Sequence, residues 1–339
     1  MSWTSLWLAL QRAPESSACP GAIEISVPTA DGAAVHLHHH PGPGAPVLVV
    51  HGLSSNGRSW DIAPDRSLAD ALVQAGYDAW LLDLRGHGAA THSPSGQRQR
   101  RGWNLDDYGR YDLAAAIDHI RTATGRAQVG YVGHSMGGMV AAVYQSWHGD
   151  AALSALVVVG SPIDFGAPSP AERLAGRAMR ASRINPVLRG DLATGLSARI
   201  GKTPQRLEDY IYAPGSIAPG PRAALMRQAV SPMTEGELAH FAFILERGRL
   251  VSADGTRDYV ADLASLTVPL TVIAGRADRI ATADRVRPWI EAAGSAQETY
   301  RVAGRAAGLA HDYGHVDLIA GDAVAAEVFP WILAGLGPP

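Results

Sequence analysis

The sequence predicts an α/β fold, a mostly parallel sheet flanked by helices, with a helical cap inserted into it. Two observations support this class. Apolar runs alternate with helical segments up to residue 162, and the next hundred or so residues show helical patterns broken by Pro and Gly without a strong strand. We therefore expect a first core part at 20–162, a cap at 163–266 and a second core part at 267–339.

The chain is predicted to begin its core with an antiparallel pair. Residues 22–27 and 34–38 alternate between apolar and polar side chains, and Asp31-Gly32 between them is a hairpin turn signal. The continuous apolar runs that follow indicate buried parallel strands at 47–50, 79–82, 128–132, 155–159 and 268–274, with a weaker strand at 298–302. Helical patterns lie at 68–75, 107–123, directly after residue 135, 284–293 and 324–333.

Two helix starts are predicted within the cap. Thr203 precedes Pro204 as an N-cap, and Thr234 and Glu237 have the spacing of a capping box. Large apolar side chains of the cap are candidates for lining an acyl pocket, with packing inside the cap as the alternative: Met179, Met226, Met233, Phe241 and Phe243.

Composition excludes several classes of partner. The 339 residues are 47% hydrophobic and carry a formal net charge of -3, so a large core is possible and nucleic acid is not an expected partner. The single cysteine, Cys19, suits a reducing compartment, and we expect a cytoplasmic protein. Residues 1–10 lack a basic region, which favours mature sequence; this segment is expected to dock as an amphipathic helix, with a weak interfacial anchor as the alternative. No apolar run reaches the twenty or so residues that span a bilayer.

The most informative motif is Gly133-His134-Ser135-Met136-Gly137, between an apolar strand and a small-residue helix. A sharp strand-to-helix turn needs glycines two residues before and after its central residue, because side chains there would clash. The pattern predicts a nucleophile elbow with Ser135 at its tip, and the alternative is a glycine-rich surface turn.

A serine nucleophile needs a base and a group that orients the base. Asp278, in the loop after strand 268–274, is the predicted acid; Asp164 is the second choice, and Asp284 is interpreted as a first-turn helix residue. His315 is preferred as base over His311, because Gly314 gives its loop freedom and an apolar run anchors it.

Acyl transfer also needs two donors for the developing oxyanion. The amide of Met136 at the start of a helix and the amide of Leu53 after Gly52 are the candidates. No cofactor or metal is predicted. The triplet His38-His39-His40 alternates faces in a strand, and no companion carboxylates are evident in the sequence beside it.

Several motifs together resemble the α/β-hydrolase superfamily: His51-Gly52, Asp83-Leu84-Arg85-Gly86-His87-Gly88, Gly133 to Gly138, Gly275-Arg276-Ala277-Asp278 and Gly314-His315. Residues 103–108, 111–118 and 313–317 are similar to acid-lipase-like esterases, and the elbow is similar to that of monoacylglycerol lipases. The resemblance implies Ser135, Asp278 and His315 as a catalytic triad, Leu53 and Met136 as the oxyanion hole, and a structural role for Asp83.

The leading hypothesis is therefore a serine hydrolase that cleaves small carboxylic esters with a hydrophobic acyl group. Acyl transfer is an alternative, since residues 103–108 also resemble polyhydroxyalkanoate synthases, although those carry cysteine at the position of Ser135. A thioester or lactone could use the same residues, and a non-catalytic receptor is the third class. Arginines in one loop are interpreted as a solvated charge run, with an acidic substrate group as the alternative: Arg98, Arg100 and Arg101.

Overall fold

A computed structural model describes residues 19–91, 102–170, 174, 176 and 210–339. Some features predicted from the sequence lie outside these residues: the segment 1–10, the Thr203 N-cap, Met179, and Arg98, Arg100 and Arg101. In the described part, no helix is of a length and apolarity that would cross a membrane.

The described strands form one eight-stranded, mostly parallel sheet in the order β1-β2-β4-β3-β5-β6-β7-β8. The pairs β1–β2 and β2–β4 are antiparallel, and all others are parallel. The strands are β1 (Ile23–Pro28), β2 (Ala34–His40), β3 (Pro46–Val50), β4 (Asp78–Asp83), β5 (Val129–His134), β6 (Leu153–Val159), β7 (Leu270–Gly275) and β8 (Glu298–Ala303). The predicted order of strands, including the opening hairpin, is confirmed.

Helices cover both faces of this sheet. They are α1 (Leu68–Gln74), α2 (Leu105–Asp107), α3 (Leu113–Thr124), α4 (Met136–His148), α5 (Pro219–Gln228), α6 (Glu235–Arg247), α7 (Tyr259–Asp262), α8 (Ala283–Val286), α9 (Pro288–Ala292), α10 (Asp317–Ala320), α11 (Val324–Glu327) and α12 (Phe329–Leu336). Short 3₁₀ turns lie at Gly57–Trp60, Pro64–Arg66, Leu263–Ser265 and Arg305–Ala307, and one π-helical turn, Tyr108–Asp112, joins α2 to α3.

Two predicted helices are divided by proline. The helix expected over 284–293 is α8 and α9, with Pro288 as the first residue of α9. The one expected over 324–333 is α11 and α12, with Pro330 in the first turn of α12. Proline lacks an amide hydrogen and its ring clashes with the preceding turn, so a continuous helix is interrupted at both places.

The core lies on both sides of the sheet, because side chains of a buried strand alternate between faces. In β3, Leu48 and Val50 pack in the cluster that contains α3 and α4 residues, while Val47 and Val49 pack in the cluster that contains α1 and α12 residues. This double burial explains why the strand is apolar throughout.

Helices also dominate the described part of the cap region. In α6, Thr234 accepts a hydrogen bond from the Glu237 amide and Glu237 bonds back to the Thr234 amide, which confirms the capping box. The cap is fastened to the core by hydrogen bonds between Ser231 and Ser54 in both directions. The domain boundaries at 162 and 266 stay predictions.

The histidines of β2 correct one premise of the sequence analysis. His38 lies 2.7 Å from Glu24 and 3.0 Å from Asp83, and His39 lies 2.7 Å from Asp78. The triplet therefore does have companion carboxylates. They come from β1 and β4, the strands on either side of β2, so no local spacing in the sequence could show them.

Candidate active site

Ser135 lies at the sharp turn between β5 and α4. Its φ of 52° and ψ of -117° are unusual for a residue with a side chain. A Cβ on Gly133 would come within 2.6 Å of the Gly137 carbonyl carbon, and one on Gly137 within 2.5 Å of the Val50 oxygen. Only glycine fits at these two positions, as the elbow pattern predicts.

Ser135, His315 and Asp278 form a continuous chain of hydrogen bonds. His315 Nε2 lies 2.9 Å from Ser135 Oγ, and His315 Nδ1 lies 2.8 Å from Asp278 Oδ2. Because a carboxylate only accepts, Nδ1 carries the proton, which leaves Nε2 free to accept the serine proton. The structure thus brings together the three residues selected from the sequence.

Asp278 is held in place from two sides. Its Oδ1 accepts hydrogen bonds from the amides of Ile280 and Ala281, both at 2.8 Å, while Oδ2 faces His315. Burial alone would raise the pKa of this carboxyl, but His315 and the two amides hold the pKa below its ordinary value. The carboxylate is therefore ionised at neutral pH and can orient the imidazole.

The residues considered as alternatives lie elsewhere. Asp164 accepts a hydrogen bond from the Gly166 amide, and Asp284 lies in the first turn of α8, as the sequence suggested. Half-buried His311 belongs to the same loop as His315, four residues earlier. Within the described chain, the imidazole hydrogen-bonded to Ser135 Oγ is that of His315.

The loop after β3 reaches the elbow at Gly52. A Cβ on Gly52 would lie 3.1 Å from the Cβ of Ser135, so the absence of a side chain permits the close approach. Neither the Leu53 amide nor the Met136 amide takes part in a turn or loop hydrogen bond among the described residues. The amides of Leu53 and Met136 stay the predicted oxyanion donors.

His134 is a positioning residue that the sequence analysis did not select. Its Nε2 lies 3.1 Å from the carbonyl oxygen of His315, to which it donates, and the two rings are 4.7 Å apart. Burial is the main cause, and repulsion from His315 the second, that lowers the pKa of His134 to about 3. The ring is therefore neutral at neutral pH, with one proton, which Nε2 can carry. Its position next to Ser135 in the elbow motif is the feature of the sequence that could have identified it.

Asp317 is a second such residue. One carboxylate oxygen accepts a hydrogen bond from the Gly314 amide at 2.8 Å, and the other lies 3.4 Å from the Ala213 amide of the cap region. Since a Cβ on Gly314 would lie 2.7 Å from the Ala213 nitrogen, the loop packs tightly against the cap there. Asp317 therefore fixes the loop that carries His315 and joins it to the cap.

Asp83 connects the turn after β4 with the loop that contains Gly52. It accepts hydrogen bonds from the amides of Gly57 and Ala89, at 2.6 and 2.7 Å, and from His38. A Cβ on Gly88 would lie 2.0 Å from Asp83 Oδ2, so glycine is required in this turn. These contacts are those of a structural residue.

A largely apolar cavity of about 440 Å³ opens at Ser135 and His315. Its described lining comes from both core and cap, and includes Leu53, Met139, Phe165, Ile211, Tyr212, Leu225, Met226, Val230, Phe241, Leu245 and Ile319, with Arg279 and Arg285 as the charged members. Met226 and Phe241 thus lie where an acyl pocket was expected, whereas Met233 and Phe243 are not among the lining residues. Another cavity, of about 410 Å³, involves Pro46, Gly130 and Gly335 and none of the three site residues.

Groups of side chains that could ligate a metal occur away from this site. In the described ranges they are Glu24 with His36 and His38, and Cys19 with His40 and Asp61. Neither group includes Ser135, Asp278 or His315.

A strained serine between a parallel strand and a helix, with an acid and a histidine from later strand ends, defines the nucleophile-elbow class of α/β proteins. The alpha/beta hydrolase fold family model matches residues 45–306, and the chain belongs to this family.

Similar proteins agree with this assignment. The chain is 37% identical over 94 residues to Lipase 3 of Drosophila melanogaster, covering 26% of this chain and 24% of that protein. It is 29% identical over 187 residues to lysosomal acid lipase/cholesteryl ester hydrolase of Macaca fascicularis, covering 54% and 41%. The matches thus span less than half the length of these curated relatives. A thermophilic esterase from Thermogutta terrifontis shares the fold with a TM-score of 0.64 at 20% identity, covering 93% of this chain and 100% of that one.

Proposed function

We propose that this protein is a serine hydrolase that cleaves carboxylic esters with a hydrophobic acyl group. The observation that carries the proposal is the hydrogen-bond chain from Ser135 through His315 to Asp278, which opens into an apolar cavity. The names of the similar lipases support the same chemistry.

In the first half of the reaction, Ser135 Oγ attacks the ester carbonyl carbon while its proton passes to His315 Nε2. Asp278 accepts a hydrogen bond from the Nδ1–H group, and its negative charge stabilises the imidazolium that forms. The negative charge that develops on the carbonyl oxygen is stabilised by the amides of Leu53 and Met136, each contributing about 3 kcal/mol. His315 then donates its proton to the leaving alcohol, and an acyl ester of Ser135 remains.

In the second half, water replaces the alcohol. His315 removes a proton from the water while the water oxygen attacks the acyl carbon. The same two amides stabilise the second oxyanion. The proton on His315 then passes to Ser135 Oγ as the acid leaves. One water is consumed in each turnover, and side chains and amides of the chain activate it and stabilise the charge that develops.

The cavity indicates the acyl group. Phe165, Phe241 and Met226 contribute apolar surface beside Ser135, and burying a methylene group contributes about 0.8 kcal/mol. Each added methylene should therefore improve kcat/KM up to the length that fills the cavity.

A fluorophosphonate probe tests the nucleophile. We expect one covalent adduct on Ser135 by peptide mapping, with Ser135→Ala as the unlabelled control of similar shape. Because the probe requires an activated serine, an adduct elsewhere, or its absence from folded protein, would reject the mechanism.

Chain-length profiling tests the substrate class. Hydrolysis of p-nitrophenyl esters should be faster for medium acyl chains than for acetate, and acid release should continue when a competing alcohol is added. A preference for acetate would contradict the apolar pocket, and an ester product in place of the acid would assign the protein to acyl transfer. The values of kcat/KM for thioesters and lactones of the same acyl length, compared with those for esters, show which of these substrate types the protein prefers.

A further inference from the structure

The face of β1 and β2 that carries Glu24, His36 and His38 gathers three potential metal ligands. Glu24 on β1 is directly opposite His38 in the antiparallel register, and His36 lies two residues before His38 on β2. Residues two apart in a strand point to the same face, and opposite residues have Cβ atoms about 5 Å apart, so the register places all three side chains together.

The ligand atoms converge closely. His36 Nε2 lies 2.5 Å and His38 Nδ1 lies 2.7 Å from the same oxygen, Glu24 Oε2. Two imidazole nitrogens and a carboxylate oxygen form a donor set that Zn²⁺ prefers, with water completing a tetrahedron. Tetrahedral ligand atoms about 2.1 Å from the metal are about 3.4 Å apart, so Glu24 needs to withdraw by less than about 1 Å. Its side chain is one-third exposed and has room to do so.

His38 provides the independent observation that points to a cation. The side chain is fully buried, and its Nδ1 lies 2.7 Å from Glu24 Oε2. Its other nitrogen, Nε2, donates to Asp83 Oδ2 at 3.0 Å. A buried ring with a carboxylate at each nitrogen favours positive charge, and a metal ion in place of the Nδ1 proton would supply that charge between His38 and Glu24.

The surroundings complete the features of a metal site. Zinc-bound histidines generally donate their second nitrogen to a carboxylate, which fixes the ring and its tautomer, and Asp83 occupies that place for His38. The salt-bridge partners of Glu24 in the described chain are these two histidines, so no described Arg or Lys neutralises it. Since β1 is an edge strand and His36 is partly exposed, solvent can reach the site.

The other group of potential ligands is less suited. Cys19, His40 and Asp61 are all buried, and His40 Nε2 has no hydrogen-bond partner among the described residues. However, the Arg58 guanidinium lies 2.9 Å from the Asp61 carboxylate. A metal ion there would have to displace the Arg58 guanidinium or bind close to its positive charge, which would repel the ion.

We propose that Glu24, His36 and His38 bind one Zn²⁺ that fastens β1 to β2 and, through Asp83, to the turn after β4. The site is separate from the serine chemistry, since its ligands include none of the residues assigned to ester hydrolysis. It revises the expectation from the sequence that this protein has no metal site.

Titration calorimetry of the full chain, first freed of metal with EDTA, tests the proposal with ZnCl₂ as the probe. We expect one equivalent of Zn²⁺ to bind and to raise the unfolding temperature. His36→Ala and Glu24→Gln change partly exposed residues, and each should weaken binding at least about tenfold and abolish the rise. Ser135→Ala should bind Zn²⁺ as tightly as wild type, so the metal test does not depend on the proposed hydrolase activity.

Cys19→Ser is the matched control for the other group and should leave the affinity unchanged. The proposal is overturned if the wild-type chain does not bind Zn²⁺, if both His36→Ala and Glu24→Gln bind it as tightly as wild type, or if Cys19→Ser abolishes binding.

Discussion

At the scale of single residues, the reactivity proposed for Ser135 depends on a backbone conformation that few side chains adopt. Among the described residues other than glycine, Ser54 and Ser135 have positive φ, and both lie in loops beside the site. Such a conformation costs about 1–3 kcal/mol and persists only when the surroundings enforce it. Here β5 and α4 enforce it, which places the hydroxyl next to His315.

Asp278→Asn tests the orienting role. Asparagine keeps the shape but loses the charge that stabilises the imidazolium, so kcat should fall about 10³–10⁴-fold with little change in KM. The measurement is steady-state hydrolysis of one p-nitrophenyl ester. Asp164→Asn, the matched control, should stay within about twofold of wild type; an equal loss in both variants would contradict the assignment.

His134→Gln tests how the buried imidazole affects acid stability. The pKa of His134 is lowered to about 3 when folded, against about 6.5 when unfolded. Below pH 6.5 the unfolded chain therefore binds a proton that the folded chain does not, and the free energy of unfolding falls by about 1.4 kcal/mol per pH unit until the folded pKa is reached.

The loss in stability between pH 7 and pH 5 should consequently be about 2 kcal/mol smaller in His134→Gln than in wild type, measured by urea denaturation at both pH values. The exposed His148 provides the control variant His148→Gln, which should behave as wild type. An unchanged pH dependence in His134→Gln would show that His134 is not held neutral by burial.

At the scale of elements, the site depends on how closely β5 and α4 approach each other. The missing side chains of Gly133 and Gly137 let the helix start directly above the strand. Because the apolar small-residue surface of α4 is buried against the sheet, the strand-turn-helix unit is fixed as a whole. The elbow is thus a property of two elements together.

Gly133→Ala is expected to disrupt this unit. The new methyl group would lie 2.6 Å from backbone atoms, and backbone cannot move aside as a flexible side chain can. We expect the free energy of unfolding to fall by at least about 2 kcal/mol, measured by chemical denaturation, and fluorophosphonate labelling of Ser135 to be lost.

Gly220→Ala is the control, since Gly220 lies in α5 with open space around its Cα. Alanine there should leave labelling unchanged and stabilise the chain by up to about 1 kcal/mol. Gly133→Ala with wild-type stability and labelling would mean that the elbow tolerates a side chain at this position.

At the scale of the whole molecule, the cavity exists because the cap lies over the carboxyl edge of the sheet. Ser54 and Ser231 join the loop after β3 to the cap, and Asp317 joins the His315 loop to Ala213. Both loops that carry the proposed chemistry are therefore attached to the cap, and the acyl group would bind between the two layers.

Phe241→Ala tests whether the cap side of the cavity selects the acyl group. Phe241 lines the cavity, and its removal should shift the optimum of kcat/KM toward longer acyl chains, because the enlarged space accepts more methylenes. Phe243→Ala, two residues along α6 and outside the lining, should keep the wild-type optimum. The same shift in both variants would indicate a general loosening of the cap instead of a local pocket.

The sequence by itself determined the order of strands and helices, the elbow and the residues Ser135, Asp278 and His315. These follow from periodicity, glycine spacing and position after strands, which are local properties of a chain. Only the tertiary structure decided that His134 and Asp317 fix the His315 loop, that Met226 but not Met233 lines the cavity, and that Glu24 lies opposite His38. Such contacts join residues from different elements through packing and strand register, and neither is encoded in local spacing.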